Sequence, residues 1–203
     1  GNEISRKDAW KTVGEAAPYY FMPGGYGQLK KTIKGMEMFD EDLPIAGSYT
    51  DSGKLRYPVD DTVKNRLQAA IFGQYANENA GKYFDGGHKA LDEKQIQEFI
   101  DVDIPIEDYW DYREGLYALN MESETGTASL AEKIDYIMSL DLPIEKKNLL
   151  ANNLTERKEP IDLTGYEEYG NYKDFDFAKK YPEKYAFLQD HNISVSEYEE
   201  FDE

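Results

Sequence analysis

Residues 95–112 read Gln-Ile-Gln-Glu-Phe-Ile-Asp-Val-Asp-Ile-Pro-Ile-Glu-Asp-Tyr-Trp-Asp-Tyr. The stretch predicts a helix, a short proline-containing link and a second helix. Its anchor is Asp103-Ile104-Pro105-Ile106-Glu107, and 38 residues on stands Asp141-Leu142-Pro143-Ile144-Glu145. Seven, four and three positions before the first anchor lie Ile96, Phe99 and Ile100; Ile134, Ile137 and Met138 hold the same offsets before the second. Steps of three and four place each trio on one helical face. Partial copies flank the pair. Asp42-Leu43-Pro44-Ile45 follows Met38 and Phe39, and Asn192-Ile193-Ser194-Val195 follows Tyr185 and Leu188.

Proline removes an N–H and restricts the residue before it, so the first helix must end at the link. Proline is tolerated in the first turn of a new helix, where Glu107 and Glu145 also meet a favourable dipole. In the last copy Ser194 and Glu197 have the spacing of a capping box. Each copy therefore predicts a helix-turn-helix corner. The spacing between copies is too irregular for a solenoid.

Composition frames the corners. Of 203 residues, 40% are apolar and 32% charged, which suits a packed helical protein with a solvated surface. Lys and Arg number 23 against 41 Asp and Glu, a net charge of −18. The imbalance is uneven: residues 1–40 carry 6 basic and 5 acidic groups, residues 161–203 carry 4 and 12. Such a surface repels phosphates, so no direct nucleic-acid binding is expected. It suits a basic partner, mimicry of nucleic acid, or solubility alone. Cysteine is absent, which excludes disulfides, thiolate nucleophiles and Cys-based zinc sites. No apolar run is long enough to span a membrane. The chain opens Gly1-Asn2-Glu3 without Met, and the last corner has little second helix, so further chain on both sides is expected.

Residues 8–17 predict a short helix with Ala9, Val13 and Ala16 on one face. The run Tyr19, Tyr20, Phe21, Met22 follows, closed by a Pro23-Gly24-Gly25-Tyr26-Gly27 turn whose backbone calls for positive φ. These glycines match neither phosphate-loop pattern, although Lys30 and Lys31 stand nearby. Residues 28–39 predict an amphipathic helix with Leu29, Ile33 and Met36 inward. Asp51-Ser52-Gly53 between two short strand-forming runs predicts a β-hairpin over 46–59, which needs helices or a partner to lean on.

Asp60 or Asp61 is the expected cap of a helix reaching about Ala80, buried through Val63, Leu67, Ala70, Ile71 and Tyr75. Ala69, Gly73, Ala76 and Ala80 would allow close helix packing, and residues 83–88 read as a loop. The helix from Ile106 to about Leu119 carries Tyr109, Trp110, Tyr112, Leu116 and Tyr117. Aromatics at this density form core, or a binding face where exposed. The candidate partner-binding residues are Tyr109, Trp110, Tyr112, Tyr166 and Tyr169. The second corner, residues 130–157, predicts burial of Leu149, Leu150 and Leu154.

Glu159-Pro160 divides the expected organisation into a helical domain with a hairpin over 1–160 and an acidic, aromatic-rich appendage over 161–203. In the appendage a clean helical pattern begins only at Phe177, interrupted by Pro182, and Ile193, Val195 and Tyr198 are expected to lack partners. The fold class is mainly α, an irregular multi-helix arrangement of corners with one small β-hairpin.

No motif assigns a reaction. His88 and His191 are the only histidines, and neither has metal-ligand spacing. H-E-x-x-H and G-x-S-x-G are absent. Asp60-Asp61 or Asp101 with Asp103 could do acid–base work or hold Mg²⁺, yet 41 acidic residues create such pairs by chance. No catalytic residue, metal ligand or cofactor is expected.

Several strings together resemble a known group: Met22-Pro23-Gly24-Gly25-Tyr26-Gly27-Gln28, Gly47-Ser48-Tyr49-Thr50-Asp51-Ser52-Gly53, Ala70-Ile71-Phe72-Gly73-Gln74, Glu93-Lys94-Gln95-Ile96-Gln97-Glu98-Phe99 and Asp108-Tyr109-Trp110-Asp111-Tyr112-Arg113. They resemble associated domains of the large polyvalent proteins of phages and conjugative elements from Gram-positive gut bacteria, over about residues 10–185. The resemblance implies a helical domain within a longer mobile-element protein, and transfers no catalytic residue. It implies a protein partner, such as a virion or conjugation component, and a location in the bacterial cytoplasm or phage particle. The leading expectation is a non-enzymatic structural or protein-interaction module. The alternatives are an acidic nucleic-acid mimic that inhibits a host defence enzyme, and an enzyme with an unrecognised carboxylate site.

Overall fold

The computed structural model describes residues 25–155 and 160–202. The expected helix over 8–17, the aromatic run 19–22 and the Pro23-Gly24 part of the turn lie outside the described residues, as does Glu159. The described chain is mainly helical, with one two-stranded antiparallel sheet. Two compact units divide it between Ile96 and Gln97. Residues 161–202 belong to the second unit.

The first unit begins with α1, Gly25–Glu37. Gly25 to Gly27 are helical here, whereas the sequence suggested a positive-φ turn. The buried face of α1 is Thr32 and Gly35, continued by Met38 just past its end; the expected inward residues Ile33 and Met36 are half-buried. Close approach explains the difference. Gly35 seats directly on the Ala69 carbonyl of α2, Val63–Phe72, where a Cβ would have no room. Thr32 Oγ1 donates to Ala70 O at 2.7 Å. The expected role of Ala69 and Gly73 as close-packing residues is met, since Gly73 lies against Lys31. Thr62, not Asp60 or Asp61, caps α2 by accepting from Asn65 N. The helix stops at Gly73; a 3₁₀ turn, Gln74–Ala76, leads to α3, Glu78–Gly86. The expected loop over 83–88 is thus largely the end of α3, capped by left-handed Gly87.

The hairpin forms as its turn residues indicate. Strands β1, Gly47–Tyr49, and β2, Leu55–Pro58, pair Gly47 with Pro58 and Ser48 with Tyr57, with a bulge beside Tyr49. Gly53 closes the turn at φ 79°, a conformation that favours glycine. Leu55 and Tyr57 face inward and are fully buried, the period-two signature of a half-covered strand. Helix α3, through Tyr83 on the Tyr57 ring at 5.9 Å, and the segments around Gln74 and Leu91 supply the support a lone hairpin lacks. Tyr57 Oη donates to Gln74 O at 2.5 Å, and the Leu55 and Leu91 backbones exchange two hydrogen bonds.

The second unit is built on the corners. α4, Glu93–Val102, and α5, Ile106–Glu122, form the first; α6, Leu130–Ser139, and α7, Ile144–Asn153, form the second. Pro105 and Pro143 stand at the N-caps of α5 and α7 with closely similar backbone angles (φ −52° and −57°). The burial pattern repeats: Ile96 and Phe99, like Ile134 and Ile137, are buried, while Ile100 and Met138 are half-buried. The corners also touch. Lys146 Nζ from α7 donates to Val102 O at 2.6 Å, satisfying a carbonyl at the end of α4. Leu150 is buried as expected, but Leu149 points outward.

Residues 160–171 lead to α8, Tyr172–Lys180, which starts five residues earlier than its periodicity suggested because Asn171 caps it. Pro182 opens α9, Pro182–Asp190, at its first turn. The third corner follows, to α10, Val195–Asp202, with the Ser194–Glu197 capping box formed in both directions. Asp103 and Asn192, equivalent in the repeat, both take positive φ (51° and 53°). Val195 is buried with Phe177 and Leu188, and Tyr185, Ile193 and Tyr198 pack on them. The expectation that this corner lacks partners is corrected: α8 supplies them.

Candidate functional site

The aromatic set singled out in the sequence is mostly interior. Tyr109 and Tyr112 are completely buried and Trp110 is 2% exposed. Helix α5 brings the two phenols to Glu98 of α4. Tyr109 Oη donates to one carboxylate oxygen at 2.8 Å, and Tyr112 Oη to the other at 3.3 Å. Arg113 Nη1 stands 3.8 Å from the same group. Burial, then the neighbouring Glu98 charge, pushes both phenols well above the ordinary tyrosine range. The phenols therefore stay protonated donors. The arrangement pins α5 to α4; it presents no ring to a partner.

Tyr166 is buried too, and its Oη donates to Asp135 of α6 at 2.6 Å. Burial and that bond raise its pKa. Asp135 also accepts from Tyr172 N at 2.7 Å, so one carboxylate anchors both ends of residues 166–172. Tyr169 is half-buried, its ring 5.6 Å from Phe175 and 5.5 Å from Tyr185. A second clamp lies alongside. Asn152 donates to Ile161 O and accepts from Ile161 N, while Asn148 accepts from Leu163 N. Two asparagines one helical turn apart thus hold extended backbone as a neighbouring strand would. Four of the five candidate partner-binding residues, Tyr109, Trp110, Tyr112 and Tyr166, are thus interior to the second unit, and Tyr169 is half-buried.

The carboxylate pairs do not converge. Asp61 is ion-paired with Arg66 at 2.5 Å, and that hydrogen bond holds its carboxyl below the usual range. Asp101 accepts from Gln97, and Asp103 stands 3.6 Å from Lys146. His191 stacks on Phe187 with centroids 4.1 Å apart, at the surface. Among the described residues no group of three or more His, Asp or Glu has the geometry to hold a metal ion, and no helix is long and apolar enough to cross a membrane.

The feature that sequence reasoning placed inside and the structure places outside is the stripe of α2. Val63 and Leu67 are 53% and 50% exposed, and Ile71 is similarly exposed. At the end of the helix Phe72 and Tyr75 are 65% and 62% exposed, with Phe84 of α3 against the Tyr75 ring at 5.6 Å. The opposite face, through Ala69, is the one that packs on α1. A stepping of four residues makes a continuous apolar ridge, the shape that a second helix packs against. Exposed apolar side chains clustered in this way mark interaction surfaces more than singly scattered ones do.

Compared with known proteins, the chain matches no protein-family model, no curated protein and no solved structure.

Proposed function

We propose that the chain is a non-enzymatic helical protein-interaction module of a large phage or mobile-element protein, and that it docks a partner on the apolar ridge of α2. The observation that carries the reading is the exposure of Val63 and Leu67 on one face of a helix whose other face is already packed. The surroundings favour a protein contact. Residues 1–96 carry 13 basic and 14 acidic side chains, so this unit has almost no net field to overcome when apolar surfaces meet. The partner chemistry is an apolar helix face, seated ridge into groove. The string resemblance to large polyvalent proteins supplies the mobile-element context.

The test places a photo-crosslinking amino acid at Leu67 in cells that make the full-length protein, with Tyr117, an equally exposed residue on α5, as control site. The reading expects a discrete adduct at Leu67 that is absent at Tyr117 and that disappears when Val63→Asp is added. The same adducts at both sites would overturn it.

A second reading, an acidic nucleic-acid mimic, has one observation in its favour. Residues 97–203 carry 27 acidic and 10 basic side chains, a net charge of −17. That reading expects DNA to compete with the chain for a basic nuclease, with affinity that falls steeply with salt.

A further inference from the structure

We infer that the groove between α9 and α10 docks a basic helix of a partner protein, seated over Phe187 as α5 is seated over Tyr136 in the second corner. The groove belongs to the second unit, so the inference stands whether or not α2 takes a partner.

The repeat carries the argument. Five positions before the anchors Asp103, Asp141 and Asn192 stand Glu98, Tyr136 and Phe187. In the first two corners this position is covered. Glu98 accepts from Tyr109 and Tyr112 of α5. Tyr136 reaches across to α5 of the first corner: its Oη donates to Asp111 O at 2.9 Å, and its ring fills the space that a Cβ on Gly115 would need. In the third corner the position is open. Phe187 is 57% exposed, and the ring stacked on it is that of His191, the residue that follows α9. Six positions after the anchors the contrast repeats. Tyr109 closes onto Glu98, whereas Tyr198 turns its ring to Phe177 at 5.8 Å. What remains is an open groove of about 230 Å³ lined by Glu183, Lys184, Phe187, Leu188 and Tyr198.

Charge decides the occupant. Glu183, Phe187 and Asp190 follow one another by four and three residues, so acids flank the ring along one face of α9. On α10 the exposed Phe201 stands one turn beyond Tyr198. Among residues 181–201 Lys184 is the single lysine or arginine, against Glu183, Asp190, Glu197, Glu199 and Glu200. Lys184 already lies over the Tyr181 and Tyr198 rings, at 5.3 and 5.6 Å from their centroids. An apolar floor with an acidic rim selects a helix that has an apolar seam and lysines or arginines beside it. A small residue in that seam, the counterpart of Gly115, lets the helix approach Phe187 closely. A second copy of the chain is the wrong partner: its equivalent unit carries 27 acidic and 10 basic side chains and repels.

The test uses the full chain and two synthetic helical peptides that share one seam of leucine and alanine. One carries lysine at its remaining positions, its twin glutamate, and binding is read by fluorescence anisotropy. The lysine peptide should bind and the glutamate peptide should not. Phe187→Ser keeps every charge and should weaken the lysine peptide about tenfold, with Phe201→Ser weakening it about threefold. Tyr117→Ser, at an equally exposed ring on α5, should leave binding unchanged. Far-UV circular dichroism verifies that the variants keep their helix content. Equal binding by the parent and Phe187→Ser would mean that charge alone holds the peptide, and would overturn the inference. So would no binding of the lysine peptide, equal binding of its glutamate twin, or a self-association of the chain in sedimentation that Phe187→Ser abolishes.

Discussion

The two units differ in where they keep their apolar surface and their charge. The first carries 13 basic and 14 acidic residues and turns Val63, Leu67, Ile71 and Phe72 of α2, with Tyr75 of the 3₁₀ turn after it, toward the outside. The second carries 27 acidic residues against 10 basic and folds its densest aromatic stretch inward, around Glu98 and Asp135. The first is held by close approach of small residues, Gly35 on Ala69. The second is held by carboxylates and amides that accept from buried phenols and backbone N–H groups. The difference teaches that aromatic content does not locate exposed apolar surface: the Tyr-rich unit uses its rings as internal donors, and the unit with fewer charges leaves a ridge exposed.

The comparison can be broken first at its tightest contact. Gly35→Val should destabilise the first unit by about 3 kcal/mol or more, because the new side chain meets a backbone carbonyl that cannot rotate away. Hydrogen exchange resolved by peptide should then rise over 25–72 and stay unchanged over 106–153. Next comes the polar pin of the second unit. Glu98→Ala removes the acceptor from Tyr109 and Tyr112 and should cost about 2–3 kcal/mol in urea unfolding, with Glu98→Gln costing less.

Alkali should sharpen the contrast. The folded pKa values of Tyr109 and Tyr112 are raised, so both protonated phenols contribute their full stabilisation below about pH 10, where an unfolded tyrosine is also neutral. Above it the unfolded chain ionises and the folded one does not, so stability is lost as pH rises. At about pH 11 the two should together cost the second unit about 2 kcal/mol. Exchange over 106–122 should accelerate there, and Phe substitution at both positions should remove that dependence. Asp135→Ala should cost about 1–2 kcal/mol and loosen residues 160–172 before the rest. The smallest effect is the most telling: Leu67→Ser should change stability by less than about 0.5 kcal/mol, while Leu150→Ala, a fully buried residue, costs about 3.

The corners were legible because their signals are local. A proline at a fixed place and apolar residues nine and six positions before it suffice, and burial at Ile96, Phe99, Ile134 and Ile137 follows. The hairpin was legible for the same reason, through Asp51-Ser52-Gly53. The ridge of α2 was misread because helical periodicity identifies an apolar face without saying what covers it. The face that packs is chosen by Ala69 and Gly35, whose small size allows a contact that Leu67 would prevent. Tyr109, Tyr112 and Tyr166 were visible as candidates, but their partners Glu98 and Asp135 lie 11 to 31 residues away. Among so many acids, nothing local marks these two. Asn148 and Asn152 left a faint sign, two amides one turn apart on a helix, but the backbone they hold could not be read from the chain.

The most direct test is hydroxyl-radical footprinting of the full chain, read residue by residue by mass spectrometry. The account predicts rapid oxidation at Val63 and Leu67 and strong protection of Tyr109, Trp110 and Tyr112. Protection of Leu67 together with rapid labelling of Trp110 and Tyr109 would contradict it.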